Sequence, residues 1–561
     1  MPDAQTLMAS VSDDALTKAT RLFNASIGDI LAELLQNARR SGGTEVAIDC
    51  VEDPVLGPVI CFRDDGPGLT DPNALLALGG SAWNEETQAN EDPAGMGFFA
   101  LAGRNARVIA ARRDGPGGWE LEMSRDALSG DAPITCRPRT DDLAGVAVIF
   151  EQRPGENISV AAAHAARYAP IDVICDGAAV ERDDFLAGAS HIEIWKGIRI
   201  GVYRRDDIRF KRKHMTANFH GVTLGVPLPE LSEVHHGSYR ALIDVQTCTA
   251  LQLVLPPRKE VVHNDFLTEL QQEIRRIYFR LIKKVGRHSL RFSDHQSAAE
   301  LGIDLPPADM RLRPFTPMHA DPDSNTYSEL TAVPTSAMIF AGEDDAVHEQ
   351  NFARALAKTE QVGMVFAPQP AFAGYAWYDA LPIIEMTGYV IETSKGRQAY
   401  VLDELPGILE RPGNLSVFGS LRTGSDMSSW EIETDFILFA GPYATMIDES
   451  VLCLTAASTI THDELLTFFT EALFCPCYDG DAESYDTQLR WFTDEAEDEV
   501  IGYLSGIDDV RLNQVQRIIE RELWWIRREG SEISIRIKGR EVQIDGLDTA
   551  FERPTEVTAS A

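Results

Sequence analysis

From residue 27 to residue 40 the chain sets Ile27, Ile30, Leu31, Leu34, Leu35 and Ala38 at spacings of three and four. That is the pattern of an α-helix with one apolar side sunk into a core. At about 100° per residue, Glu33 and Asn37 fall side by side on one edge of the stripe, with Arg40 next to them. A carboxylate and an amide at the border of a core can face a ligand, although the same pair alone would suit an ordinary surface. The helical reading covers 12–40 and ends at Ser41-Gly42-Gly43. A helix of this kind needs a sheet beneath it, and the sequence supplies candidate strands directly afterwards.

Thr44 to Cys50 and Val59 to Arg63 read as strands, and the second runs into Asp64-Asp65-Gly66-Pro67-Gly68-Leu69. A carboxylate at a strand end can accept the N6 amino proton of adenine, and glycines let a backbone pass close to a purine. Asp-Gly and Pro-Gly are also common turn dipeptides. After a short helix at Leu75 to Gly80 comes a polar stretch. Gly95-Met96-Gly97-Phe98-Phe99-Ala100-Leu101 then reads as a glycine turn opening a helix, where free amides and the helix dipole favour phosphate. The dinucleotide pattern G-x-G-x-x-A also fits, but it requires a strand immediately upstream, and Ala89-Asn90-Glu91-Asp92-Pro93 is not one. No P-loop pattern occurs. Val108 to Arg112 and Trp119 to Met123 flank Asp114-Gly115-Pro116-Gly117-Gly118 as a predicted hairpin, and Val146 to Glu151 is expected to close the sheet.

Each motif is weak alone; their order and spacing are not. ELLQN, RDDGPGL and GMGFFAL follow one another at intervals of about thirty residues. In that order they resemble the boxes of the GHKL (Bergerat-fold) ATPases, the superfamily of gyrase B, Hsp90, histidine kinases and MutL. The resemblance implies an α+β chain with an N-terminal Bergerat-type α/β sandwich. It matches Glu33 to the general base, Asn37 to the Mg²⁺-coordinating residue and Asp64 to the adenine-reading carboxylate. Gly66 and Gly68 match the glycines beneath the purine. Gly95, Met96, Gly97 and Phe98 match the ATP-binding lid-hinge box, with residues 79–93 as the lid. Two positions depart from the pattern: Arg40 stands where an acid is frequent, and Asp65 replaces an Asn. Further on, Leu251 to Val262 (LQLVLPPRKEVV) is similar to the strand and loop of an S5-like transducer domain. Arg258 or Lys259 would be the cation that reaches the γ-phosphate, and the sequence does not choose between them.

At 561 residues, roughly two to four domains are expected. The predicted division is an ATP-binding domain at 1–153, a transducer-like domain at 154–301, a Pro/Asp/Ser-rich linker at 302–335, an α+β domain of unknown type at 336–548, and a tail at 549–561. In the fourth segment Leu512, Val515, Ile519, Leu523 and Ile526 recur at helical spacing, and Ile533 to Ile544 reads as a hairpin. No stretch approaches the roughly 18–20 apolar residues of a membrane span. The N-terminus has no apolar h-region, and the eight cysteines are scattered; a cytoplasmic chain is expected. Cys475-Pro476-Cys477 lacks the further ligands of a zinc site.

The net charge of −36 disfavours a dedicated nucleic-acid binder. Two basic clusters run against it, Arg204 to His214 and Arg275 to Arg291. The resemblance therefore implies a Mg²⁺-dependent ATPase switch that closes as a homodimer on ATP binding and acts on a protein partner through its C-terminal domain. The alternatives are a MutL- or topoisomerase-like ATPase acting on DNA and a non-hydrolysing ATP sensor. A histidine kinase would need a phosphoacceptor before the ATPase module, and the first histidine is His164.

Overall fold

The computed structural model describes residues 26–76, 97–141, 144–204, 215–253, 260–342, 345–359, 363–407, 412–441, 447–522 and 532–546, without 533 and 540. The sequence-predicted elements at 12–25, 77–80 and 523–526, and the 79–93 lid and the tail, lie outside them. The chain divides into two compact units, Met1–Asp309 and Met310–Ala561. The predicted architecture of α+β domains built on large sheets is what both units have. No helix among the described residues is long and apolar enough to cross a membrane.

The first unit begins with α1 (Ile27–Ser41). Ser26 caps it reciprocally: its hydroxyl accepts from the Asp29 amide at 3.3 Å, and the Asp29 carboxylate accepts from the Ser26 amide at 3.1 Å. Gly42, at φ 94°, ends the helix and returns its amide to Ala38 and Arg39. Ile30, Leu31, Leu34, Leu35 and Ala38 are buried as the stripe predicts. Each such leucine contributes roughly 1.5–3 kcal/mol relative to exposure.

Beneath α1 lies an eight-stranded sheet ordered β5-β4-β3-β6-β2-β1-β7-β8. Its strands are β1 (Glu45–Asp53), β2 (Gly57–Asp64), β3 (Ala106–Ala111), β4 (Gly118–Met123), β5 (Thr135–Arg139), β6 (Val146–Glu151), β7 (Asp172–Cys175) and β8 (Ala178–Ala179). The β3–β4 hairpin forms where the Gly/Pro signal sits. β6 does not close the sheet but lies inside it, paired with both β2 and β3. β7 pairs in parallel with β1, and α2 (Ile158–Ala166) packs beside α1 in the same core. The first module therefore runs past 153 to about residue 180. Sequence position alone could not reveal a late strand returning to the first.

The rest of the first unit is a second sheet, β12-β11-β14-β10-β9 with β13 also on β14. It comprises β9 (His191–Trp195), β10 (Ile198–Arg204), β11 (Ala217–Phe219), β12 (Val222–Leu224), β13 (Leu231–Glu233) and β14 (Gly237–Val245). α3 (Asp265–Val285) covers it with Leu270, Ile274, Ile277, Tyr278 and Ile282, and α4 (Phe292–Glu300) follows.

The predicted linker is packed rather than free, and the boundary between the units runs through it. Ile303 and Leu305 are buried against the second core of the first unit, whereas Leu312 is buried on the other side of the 309/310 boundary. Two short strands, β15 (Arg311–Leu312) and β16 (Thr331–Ala332), pair within the same stretch. Phe315 stacks edge-on to Phe340 at 4.8 Å. Pro, Asp and Ser forbid long helices and strands there without forbidding burial. The main sheet of the second unit is β18-β17-β19-β21-β22, with β20 on β19. Its strands are β17 (Met338–Phe340), β18 (Val365–Phe366), β19 (Ile383–Thr393), β20 (Gly396–Val401), β21 (Asn414–Thr423) and β22 (Asp426–Thr434). A separate pair, β23 (Phe436–Ala440) and β24 (Ser450–Leu454), packs under α5 (Ala346–Ala357) and α6 (His462–Leu473).

Helices α7 (Tyr485–Leu504) and α8 (Ile507–Glu522) complete this unit, and the hairpin of β25 (Ser534–Lys538) and β26 (Glu541–Asp545) forms as expected. α8 forms where the helical spacing places it. It meets α7 through charge, with Arg517 on Asp494 and Asp498 and Arg521 on Asp494. Leu512 and Val515 of the apolar period are exposed.

Candidate functional site

Glu33, Asn37 and Ser41 stand four residues apart, so they succeed one another along one side of α1 over about 12 Å. Glu33 and Asn37 are half-buried, as expected of the edge of a sunken helix. At one end of this row a short 3-10 helix, Gly97–Leu101, presses its buried Phe98 and Phe99 into the first core. That packing seats Gly97 directly on α1. A Cβ on Gly97 would collide with Glu33 Oε2 and stand 3.6 Å from Asn37 Nδ2. A glycine here lets the backbone lie against both side chains without displacing the Glu33 carboxylate. The predicted box is thus a 3-10 turn rather than an α-helix, and Gly97 meets Glu33 and Asn37 through it.

At the other end of the row, β2 delivers Asp64. Asp64 Oδ1 accepts from the Gly66 amide at 2.9 Å and from the Val146 amide at 3.3 Å. Its Oδ2 takes no hydrogen bond among the described residues. Burial pushes the Asp64 carboxyl above the usual carboxylate range, and the two amides only partly offset it. A Cβ on Gly66 would lie 2.8 Å from both Asp64 Oδ1 and Ser41 Oγ, which places this turn against the end of α1. Gly68, at φ 81°, carries the loop back across β3, where the Leu69 amide donates to the Ala111 carbonyl at 2.8 Å. Trp119 Nε1 donates to the Leu69 carbonyl at 2.7 Å and fixes the far side of the loop.

Asp65 has a different task. It accepts from the Thr44 amide at 2.7 Å, the Thr44 hydroxyl at 2.6 Å and the Glu45 amide at 3.0 Å. The Glu45 amide and the Thr44 hydroxyl lead in holding its carboxyl below the usual range. This ties the start of β1 to the loop, so an aspartate in place of asparagine serves as a local clamp. Arg40 turns back along its own helix and donates to Gln36 Oε1 at 3.0 Å.

Glu33, Asn37, Asp64, Gly66 and Gly97 therefore line one side of α1 from Glu33 to Ser41, with Phe98 in the core beside it and Gly68 set against β3. Gly95, Met96, Arg258 and Lys259 lie outside the described residues. The strands flanking the second pair do meet: Leu253 bridges Val261, and the Val262 amide donates to the Gln252 carbonyl at 2.8 Å. Sequence reasoning missed Val146, whose amide helps hold Asp64, and Ser41. Gly145, at φ 63° with its backbone against the Asp64 carbonyl, was the available signal for the first. Ser41 was visible as the next step of the Glu33–Asn37 spacing.

No family model matches the chain, and neither does any curated protein. Among solved structures, 43% of this chain is similar to 77% of the ATPase region of Saccharomyces cerevisiae topoisomerase II, at 10% identity and a TM-score of 0.30. The same region bound to ICRF-187 (dexrazoxane) is matched over 42% of this chain and 78% of that one, at 10% identity and a TM-score of 0.30. The ATPase and transducer domains of DNA topoisomerase II from Balamuthia mandrillaris are matched over 35% and 59%, at 16% identity and a TM-score of 0.27. Likeness at this level carries no residue-by-residue correspondence, so the site stands on its own geometry.

Proposed function

We propose that the first module is a GHKL-type ATP site and that the chain is an ATP-hydrolysing conformational switch. The observation that carries the reading is the single row Glu33–Asn37–Ser41 on α1, with Gly97 seated at one end and the Asp64–Gly66 turn at the other. Such a row can hold an extended ligand with two chemically different ends. Asp64 presents one oxygen pinned by amides and a second oriented by them, which suits an exocyclic amine such as adenine N6. Glu33 and Asn37 bring a carboxylate and a side-chain amide together at the Gly97 end, and the carboxylate with the amide's oxygen turned to it would give a hard-oxygen donor set that fits Mg²⁺. When bound, Mg²⁺ would neutralise phosphate charge there. Asn37 would hold the ion and Glu33 would take a proton from the attacking water. Gly97, with Gly95, Met96 and Phe98 of the same box, would bring amides to the phosphates.

Arg258 or Lys259 would complete the site from the second sheet, so that nucleotide state changes the relation of the two modules. Closure of two copies of the chain on ATP, with a protein partner engaged by the second unit, follows from this reading. The test is calorimetric titration of Mg-ATP into the full chain and its Asp64→Asn variant. Binding by the wild type and a loss of about 100-fold in the variant are expected. Retained affinity in the variant would sink the adenine assignment.

A further inference from the structure

Cys475 and Cys477 are the one close pair of cysteines along the chain, just past the end of α6. Both are exposed, whereas Phe474 before them and Pro476 between them are buried. An alternation of that kind marks an extended segment with both thiols on the solvent side. Local sterics favour it: Phe474 leaves the helix at φ −69° and ψ 107°, and Cys475, as the residue before a proline, avoids the helical region. Gln488 of α7 then holds Cys477 by both backbone groups. The Cys477 amide donates to Gln488 Oε1 at 2.8 Å, and Gln488 Nε2 donates to the Cys477 carbonyl at 3.0 Å. Those two groups of one residue point the same way only where the backbone is extended. On one flank the Phe474 ring packs 5.4 Å from Phe492, and on the other the Tyr478 hydroxyl donates to Asp323 at 2.8 Å. The thiols therefore ride on a segment that is anchored before, at and after them.

That geometry decides what the pair can do. Residues two apart on an extended chain are about 6.6 Å from each other with side chains side by side. A disulfide needs Cβ atoms within about 3.5–4.5 Å, which this arrangement does not offer. A metal ion held in line between two sulfurs needs them only about 4.6 Å apart, at about 2.3 Å per bond, and two parallel side chains reach that by leaning together. Zinc and iron–sulfur clusters call for four ligands. Among the described residues no three His, Cys, Asp or Glu side chains gather to hold a metal. Two soft thiolates without a third ligand suit Cu(I). The exposed Asp479, Asp481 and Glu483 just beyond the pair add negative charge that favours a cation.

We propose that Cys475 and Cys477 form a two-coordinate site for Cu(I) on the second unit. Each thiol gives its proton to solvent as its S–Cu bond forms, so two protons leave per ion and no electron moves. Because both sulfurs are exposed, the bound ion stays open to an incoming thiolate, which suits exchange with a carrier rather than a structural role. Cys50 and Cys136, the other exposed cysteines, sit on β1 and β5 with four strands between them, too far apart to share an ion.

The test is anaerobic titration of the reduced full-length chain with Cu(I) held by the chromophoric chelator bicinchoninate, without nucleotide, so the result does not depend on the ATP site. One Cu(I) per chain is expected to leave the chelator, with an X-ray absorption spectrum of two sulfur ligands. Cys475→Ser with Cys477→Ser should lose that ion, and Cys50→Ser with Cys136→Ser should keep it. All four side chains are exposed, so the fold should hold in both variants, which circular dichroism checks. Failure of the wild type to withdraw Cu(I) overturns the proposal. So does an ion retained by Cys475→Ser with Cys477→Ser. A spectrum of three or four sulfurs, with the loaded chain doubled in mass by light scattering, would also overturn it, in favour of a site shared between two copies.

Discussion

Asp64 in the first unit and Asp435 in the second are both half-buried aspartates, and their surroundings are opposite. Asp435 is closed on protein: Arg354 donates to both its oxygens at 2.9 and 2.7 Å, Lys358 lies at 3.3 Å, and the Ser458 hydroxyl donates at 3.0 Å. Burial alone would raise its carboxyl, but Arg354, Ser458 and Lys358 outweigh burial and bring it down to about 2. Asp64 has backbone amides on one oxygen and no cation among the described residues, and burial wins. The second unit repeats its pattern nearby. His348 lies between Tyr389 at 2.8 Å and Asp403 at 3.2 Å, and Asn351 bonds Tyr389 and both backbone groups of Leu438. Polar groups that hold a fold are saturated by it. Asp64 is oriented by the fold and left with capacity for something else.

That contrast can be broken by mutation. The largest expected effect is on turnover: Glu33→Ala should keep ATP binding and lower the ATPase rate by about 1000-fold. An unchanged rate would remove Glu33 as the base. In the second unit, Arg354→Ala leaves Asp435 partly buried without its bidentate partner and should cost that unit about 3 kcal/mol. Urea unfolding followed by the tryptophans of the second unit measures it, and ATP affinity should not change. A parallel loss of ATP affinity would mean that the two aspartates are not the separate cases their contacts describe.

The sequence made the Asp64 end of this contrast legible and the Asp435 end almost invisible. Glu33, Asn37 and the Asp64 turn could be located because helix periodicity and turn chemistry are local, and their order along the chain singled them out. The α3 helix was readable at Asp265 to Val285 for the same reason. Arg354 and Asp435 are 81 residues apart, and nothing in the spacing of either announces the pair. The same holds for β7, whose register beside β1 is set by long-range pairing, and for Val146, which reaches Asp64 across 82 residues. In α8 the apolar period was readable, but a period does not say which side meets the neighbouring helix, and here the charged side does.

Gly97→Ala sharpens the comparison at closer range. Its Cβ would displace the Glu33 carboxylate, so turnover should fall by about 10- to 100-fold while the stability of the second unit stays as it was. A variant with wild-type turnover would show that Gly97 need not sit against Glu33 for catalysis.

The smallest effect comes from pH, and here the two aspartates should part in sign. The folded carboxyl of Asp435 is depressed to about 2, so its stabilisation is complete above the ordinary aspartate value of 3.8 and is lost as pH falls through about 2. The folded carboxyl of Asp64 is raised, so its ionisation opposes folding, and that cost is relieved by acid as pH falls through the raised value. Acceptance of an amine proton, however, needs the ionised form. On acidification from neutrality, ATP affinity should therefore weaken first, above pH 3.8, while the second unit keeps its Arg354–Asp435 pair. Calorimetry and urea titration at matched pH values read the two events separately. If unfolding of the second unit precedes loss of ATP affinity, the open and closed aspartates are not distinguished by what surrounds them.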